Sequence, residues 1–173
     1  QINTVILDAL VEIVRDYQVI HQCGESQYAA VRATVDGYIQ EGKVLYGSTI
    51  EARYRLYPFL NGKELSIAYA ACDVIISRAG AGTLFEIAIL GKPAIIVPLA
   101  SAANGHQLSN AIEFGKAGLP ILEGSNMTTH VLISQIKSLL EPSRAAEIKE
   151  KLHLFTKPEA ADIVATTLLT IIS

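Results

Sequence analysis

The sequence predicts an α/β fold, a Rossmann-like, doubly wound and mostly parallel sheet with helices on both faces. Three observations predict it. Short apolar, β-branched runs alternate with longer amphipathic stretches, and right-handed crossovers turn that alternation into a parallel sheet. A glycine loop at residues 78–82 stands between one such run and a helical stretch. Half of the 173 residues are hydrophobic and 18% are charged, which suits one well-packed domain and argues against disorder.

The elements follow in order. Ile2, Val5, Ile6, Ala9, Leu10 and Ile13 recur at helical spacing, with Asp8, Glu12 and Arg15 between them. Residues 17–23 form a short apolar strand ended by Gly24, and 26–39 a second helix. Residues 43–59, rich in Tyr and β-branched side chains, read as a strand plus loop. A short helix over 64–71, a buried strand over 73–77 and a helix from about Thr83 to Leu90 come next, with Gly91 as the residue that ends it. A strand over 93–98, a helix over 105–116 and a strand over 119–122 complete the alternation. Glu123-Gly124-Ser125-Asn126 reads as a loop, and helices over 128–140, 143–154 and 159–171 close the chain. The chain opens on Gln1-Ile2-Asn3, almost directly in a helix and without an initiator Met, so a preceding segment is expected.

Composition narrows the function classes. A net charge of -3 does not suit a general nucleic-acid binder, which needs a basic face. Cys23 and Cys72 form no CxxC or Cys/His cluster, so no metal site is expected, and they read as reduced thiols near strand ends. No apolar run approaches the ~20 residues that span a bilayer, and no transmembrane segment is expected.

In a doubly wound sheet, ligands sit beyond the carboxyl ends of the strands. The residues just after each strand are therefore the candidates. The strongest motif there is Ser77-Arg78-Ala79-Gly80-Ala81-Gly82-Thr83-Leu84-Phe85-Glu86. Gly80 and Gly82 permit close approach of the backbone, and the helix start offers N–H groups with a partial positive charge, as a diphosphate requires. It is not a dinucleotide fingerprint: Phe85 replaces the third glycine, and 99–103 carries no carboxylate. Nor does Gly-Lys-Ser/Thr follow, as a Walker loop demands. An ordinary strand-to-helix turn is the plainer alternative. Glu86 can accept from both hydroxyls of a ribose or simply complement the helix dipole. The Thr83 hydroxyl caps the helix or meets a phosphate. His106 and Gln107 can donate and accept as a sugar requires, or be surface residues; His21 is either on the ligand side or a satisfied structural histidine. There is no GxSxG elbow, no HExxH and no Cys paired with a His, so the catalytic residues stay unknown and the chain reads as a binding half.

Several segments together resemble one family, the C-terminal domain of glycosyltransferase family 28. They are His21-Gln22-Cys23-Gly24, Pro58-Phe59-Leu60, Ala68-Tyr69-Ala70-Ala71-Cys72-Asp73, the Ser77 to Glu86 motif, Gly91-Lys92-Pro93, Pro98-Leu99 and His106-Gln107-Leu108-Ser109-Asn110-Ala111. The resemblance covers nearly the whole chain. It implies the C-terminal half of a GT-B glycosyltransferase, a single donor-binding domain over 1–173 with no cofactor. It implies UDP-N-acetylglucosamine as donor and transfer of its sugar to lipid I, giving lipid II of peptidoglycan. By the resemblance, Phe59 and Leu60 meet the uracil, Leu60 through backbone groups. The Ala81 to Thr83 turn meets the phosphates, Glu86 the ribose, and His106 and Gln107 the sugar hydroxyls; Arg78, Gly80, Gly82 and His21 belong to the same donor-side set.

Departures from the family pattern bear on function. The family's Gly-Gly-Ser loop before the first helix is missing. So is its N-terminal domain, which supplies the acceptor site, the membrane-associating surface and the expected base. Residues 42–57 are longer and more irregular than usual, and His106 stands where some members carry Gln. The resemblance thus implies an inverting transferase that is incomplete in this chain, cytoplasmic and peripheral to the inner membrane face when full length. The alternative is a non-catalytic UDP-sugar-binding subunit that needs a separate membrane-associated partner chain.

Overall fold

The computed structural model describes residues 2–42, 47–99, 105–156 and 159–172. The first helix, α1, spans Ile2–Asp16 and buries two different apolar faces. Val5, Ile6, Ala9 and Ile13 enter one core, while Leu10 and Val14 enter another. Three-residue and four-residue spacings place each set on its own stripe. The helix is thereby a wedge between the two halves of the fold.

On one side of α1, strand β1 (Val19–Gln22) pairs in parallel with β2 (Tyr54–Tyr57), Val19 opposite Tyr54 and Gln22 opposite Tyr57. Helix α2 (Glu25–Glu41) and helix α3 (Gly47–Arg53) make the crossover between them. Val31, Val35, Ile50 and Tyr54 join Leu10 and Val14 in this smaller core. On the other side, β3 (Ile75–Ser77) pairs in parallel with β4 (Ala94–Ile96), joined by α5 (Ala81–Leu90). All three residues of β4 are fully buried, as a strand covered on both faces demands. Helix α4 (Gly62–Ala71) links the two halves, and α6 (His106–Gly115) follows β4. A 3-10 turn at Gly124–Asn126 precedes α7 (Thr129–Leu139), α8 (Pro142–His153) and α9 (Ala160–Ile172). Leu132, Ile133, Ile136, Leu139, Ile148 and Leu152 bring α7 and α8 onto the larger core.

Three expectations need correction. Over 43–59 the strand is only β2; α3 precedes it, and residues 43–46 lie outside the described residues. Packing explains the helix. Ile50 is buried, and the Arg53 Nη1 donates to Val14 O at 3.3 Å and Arg15 O at 2.6 Å, capping the carboxyl end of α1. The strand over 119–122 is one bridge, Ile96 opposite Ile121, held by Ile96 N to Pro120 O and Leu122 N to Ile96 O, each 2.9 Å. Finally, α5 starts at Ala81 with Gly80 as its N-cap, so Thr83 is already inside the helix and its hydroxyl does not cap it. Gly91 ends α5 as expected, left-handed at φ 60.

Among the described residues no helix is long and apolar enough to cross a membrane, and no group of three or more His, Cys, Asp or Glu is placed to hold a metal.

Candidate functional site

The segments that follow β3 and β4 are tied to each other. After β3, Ser77 Oγ donates to Arg78 O at 3.1 Å, and Arg78 Nη1 reaches Val97 O at 3.4 Å and Pro98 O at 3.5 Å beyond β4. Burial lowers the pKa of the Arg78 guanidinium. Helix α6 laces the same two loops: Asn110 Nδ2 donates to Ala79 O at 3.1 Å, and Gln107 Oε1 accepts from Leu99 N at 2.9 Å. The turn ahead of α5 is thus fixed by side chains from three directions.

The first backbone bond of α5 runs from Leu84 N to Gly80 O at 3.0 Å. The N–H groups of Ala81, Gly82 and Thr83 therefore have no partner within the helix, at the end where the dipole is positive. Neither Gly80 nor Gly82 has a positive φ. A Cβ at Gly82 meets nothing within 4 Å, and one at Gly80 meets only Thr83 Oγ1 at 4.0 Å. Among the described residues, the protein's own packing does not demand glycine there.

Glu86 lies one turn beyond Gly82 and is exposed; Tyr69 Oη on α4 donates to its Oε2 at 3.4 Å. At the end of β2, Phe59 is 59% exposed and Leu60 is buried. The Leu60 N–H is engaged, donating to Gln22 Oε1 at the end of β1 at 2.8 Å. A base that pairs with both backbone groups of Leu60 has to displace Gln22. Directly after Leu60, Asn61 opens α4 with a capping box: its Oδ1 accepts from Lys63 N and Glu64 N, and Glu64 Oε2 accepts from Asn61 N.

The structure thus brings Arg78, Gly80, Ala81, Gly82, Thr83 and Gln107 into one hydrogen-bonded region, with Glu86 tied to α4 and Phe59–Leu60 tied to β1. His106 is the exposed first residue of α6, after Gly105 in the left-handed region at φ 67. Residues 100–104, between Leu99 and Gly105, lie outside the described residues.

His21 is different. It is 6% exposed, its Nδ1 is 2.7 Å from Tyr54 Oη and its Nε2 is 3.0 Å from Asn3 Oδ1. Both ring nitrogens are engaged inside the protein, so the structural alternative describes it. Burial also pushes the Cys23 and Cys72 thiols up, which disfavours the thiolate. A cleft of about 580 Å³ opens between α2, α3 and β2, lined by Arg32, Asp36, Ile50, Tyr54 and Leu56 among others, and no residue of α4, α5 or α6 lines it.

Gln22, Tyr69 and Asn110 were not singled out by the sequence. Each lay within a matching stretch, but only the packing shows what they hold.

The family described as "Glycosyltransferase family 28 C-terminal domain" matches residues 1–164. A protein of Sorangium cellulosum (strain So ce56) named UDP-N-acetylglucosamine--N-acetylmuramyl-(pentapeptide) pyrophosphoryl-undecaprenol N-acetylglucosamine transferase is 34% identical over 156 residues, 89% of this chain and 36% of the relative. The protein of that name from Legionella pneumophila (strain Corby) is 31% identical over 163 residues, 93% of this chain and 40% of the relative. The crystal structure of Acinetobacter baumannii MurG superposes with a TM-score of 0.75 at 27% identity, over 98% of this chain and 45% of that one. The expected fold class, the Rossmann-like C-terminal half of a GT-B glycosyltransferase, is borne out by that match. The chain spans 36–40% of the length of these curated relatives.

Proposed function

The chain belongs to the glycosyltransferase family 28 C-terminal domain family, and from that premise we propose that it is the donor-binding half of an inverting glycosyltransferase. Its donor is UDP-N-acetylglucosamine, and the acceptor is lipid-linked, lipid I going to lipid II in peptidoglycan synthesis. The observation that carries the reading is the start of α5: three unpaired N–H groups at the carboxyl end of β3, with Glu86 one turn further on.

In this reading the diphosphate lies on the α5 N-terminus and the ribose on Glu86. Arg78 and Asn110 hold the turn. His106 and the amide nitrogen of Gln107 face the sugar, since the Gln107 oxygen already accepts from Leu99. An acceptor hydroxyl attacks the anomeric carbon and its C–O bond forms as the bond to the diphosphate breaks. UDP leaves with the electron pair, and the α5 N–H groups receive its growing negative charge. Donors preorganised in this way contribute about 3 kcal/mol each in known sites. The hydroxyl proton passes to a base in an acceptor domain outside this chain. On this reading the full-length protein works in the cytoplasm, peripheral to the inner membrane face.

Calorimetry with UDP-N-acetylglucosamine, UDP, UDP-glucose and NAD tests the reading. The expected result is saturable binding of the UDP compounds but not NAD, preference for the N-acetylglucosamine form, and weakening by about tenfold or more in Glu86→Ala, the worth of a charged hydrogen bond. A folded chain that binds no UDP compound would overturn it.

A second reading, a non-catalytic UDP-sugar-binding subunit paired with a membrane-associated chain, is supported by the exposed apolar residues of α9, Ile163, Val164, Leu168 and Ile171 among them. The reading frame upstream of Gln1 distinguishes the two: a continuous second Rossmann domain supports one polypeptide, a nearby start codon supports two.

A further inference from the structure

Glu86 is exposed, yet its carboxylate does not stand alone. The Tyr69 hydroxyl, from the neighbouring helix α4, donates to Oε2 at 3.4 Å. The Tyr69 ring packs against the larger core. Burial first, and then the charge of Glu86, pushes its phenol up to about 12, so it stays a proton donor throughout the ordinary pH range. The helix that carries it is itself fixed at both ends. The Asn61 capping box holds the start of α4. At its other end, Lys92 Nζ donates to Cys72 O at 2.7 Å and Ala70 O at 3.4 Å. Lys92 directly follows Gly91 at the end of α5, so α4 and α5 are tied together at two separate points.

We propose that Tyr69 is a positioning residue for the ribose-binding carboxylate, holding one oxygen of Glu86 so that the group is set toward the two ribose hydroxyls before the nucleotide arrives. The assignment rests on the donor-site reading given above. An ionised carboxylate offers roughly four lone-pair sites. Tyr69 takes one, and enough remain for both hydroxyls. A glutamate on an open helix surface samples several rotamers, whereas one tied to a half-buried ring packed against the core has lost part of that freedom. The ligand then has less ordering left to impose, which is how preorganisation raises affinity. Tyr69 touches no ligand atom in this arrangement; it acts through Glu86.

The test is calorimetry on the full chain with UDP and with 2′,3′-dideoxy-UDP, for wild type, Tyr69→Phe, Glu86→Ala and the double variant. The expected result is that Tyr69→Phe weakens UDP binding about fivefold, the scale of one hydrogen bond, and leaves the dideoxy nucleotide unchanged. It should add nothing in the Glu86→Ala background, as for two residues acting as one unit. An equal loss for both nucleotides, or a loss that adds to that of Glu86→Ala, would make Tyr69 a plain brace between helices and overturn the proposal. Unchanged UDP affinity overturns it too. If wild type binds UDP and Glu86→Ala weakens it while Tyr69→Phe does not, only the positioning role falls. If wild type binds neither nucleotide, the donor-site reading falls and this assignment with it. The dideoxy comparison keeps the result interpretable even if Tyr69→Phe shifts the melting temperature.

Discussion

His21 shows how one residue's chemistry follows from its neighbours. Asn3 Nδ2 donates to Cys23 O at 2.9 Å, which turns Asn3 Oδ1 toward the imidazole. That oxygen can only accept, so His21 Nε2 carries the proton, and Nδ1 accepts from Tyr54 Oη. The chain of bonds joins α1, β1 and β2 through a neutral ring. Burial lowers the His21 pKa to about 4, and burial likewise raises that of Tyr54. The unfolded chain takes up a proton near 6.5 that the folded chain refuses until about pH 4. His21 therefore supports the fold fully above pH 6.5, and that support is lost as pH falls from 6.5 to 4. At ~1.4 kcal/mol per unit the loss approaches ~3 kcal/mol. Denaturant unfolding of wild type and His21→Gln should show wild type losing about that much relative to the variant between pH 7 and pH 4. A difference that stays constant over this window would rule out a buried neutral His21.

Among the elements, α5 is the one whose two ends carry the most meaning. Its start is open and its end is closed. Gly91 sits at φ 60, and a Cβ there would meet Lys149 Cγ on α8 at 2.8 Å. Gly91→Ala should cost about 1–2 kcal/mol from left-handed strain and crowding together. For a chain of this size that lowers the melting temperature by roughly 3–6 °C. Adding Lys149→Ala should recover the crowding part and leave the strain. An unchanged melting temperature for Gly91→Ala would contradict the left-handed ending. This end of α5 was legible in the sequence because glycine after an apolar run has a local cause. The beginning was displaced by two residues because Gly80 caps without a side chain, and nothing in the sequence marks such a cap. Helix α3 was missed for the opposite reason. Its opening residues Gly47, Ser48, Thr49 and Ile50 are weak helix formers, and the helix is held by Ile50 in the core and Arg53 on the end of α1, contacts that join distant parts of the chain. The site divides along the same line. The glycine turn and Glu86 stand in local sequence, whereas Tyr69, Gln22 and Asn110 acquire their roles only through partners between 17 and 38 residues away.

For the molecule as a whole, α9 is set apart from the rest. Neither core cluster includes a residue from Ala160–Ile172, and Ile163, Val164, Leu168, Leu169 and Ile171 are all more than half exposed. Two of its hydroxyls are turned onto the helix itself. Thr167 Oγ1 donates to Ile163 O and Thr170 Oγ1 to Thr166 O, each at 2.8 Å, so these hydroxyls are satisfied without water. The surface left over carries five exposed large apolar side chains, of the kind that drives association. Two consequences follow, and they separate in experiment. A chain ending at Thr156 should unfold with the same free energy within ~0.5 kcal/mol, the scale of changes that leave the core untouched, and should bind UDP as the longer chain does. It should also sediment as a smaller species and bind less of a hydrophobic dye, because the association surface has gone. A drop of several degrees in melting temperature would instead mean that α9 folds back onto the domain in solution. Equal sedimentation of the two chains would mean that α9 drives no association.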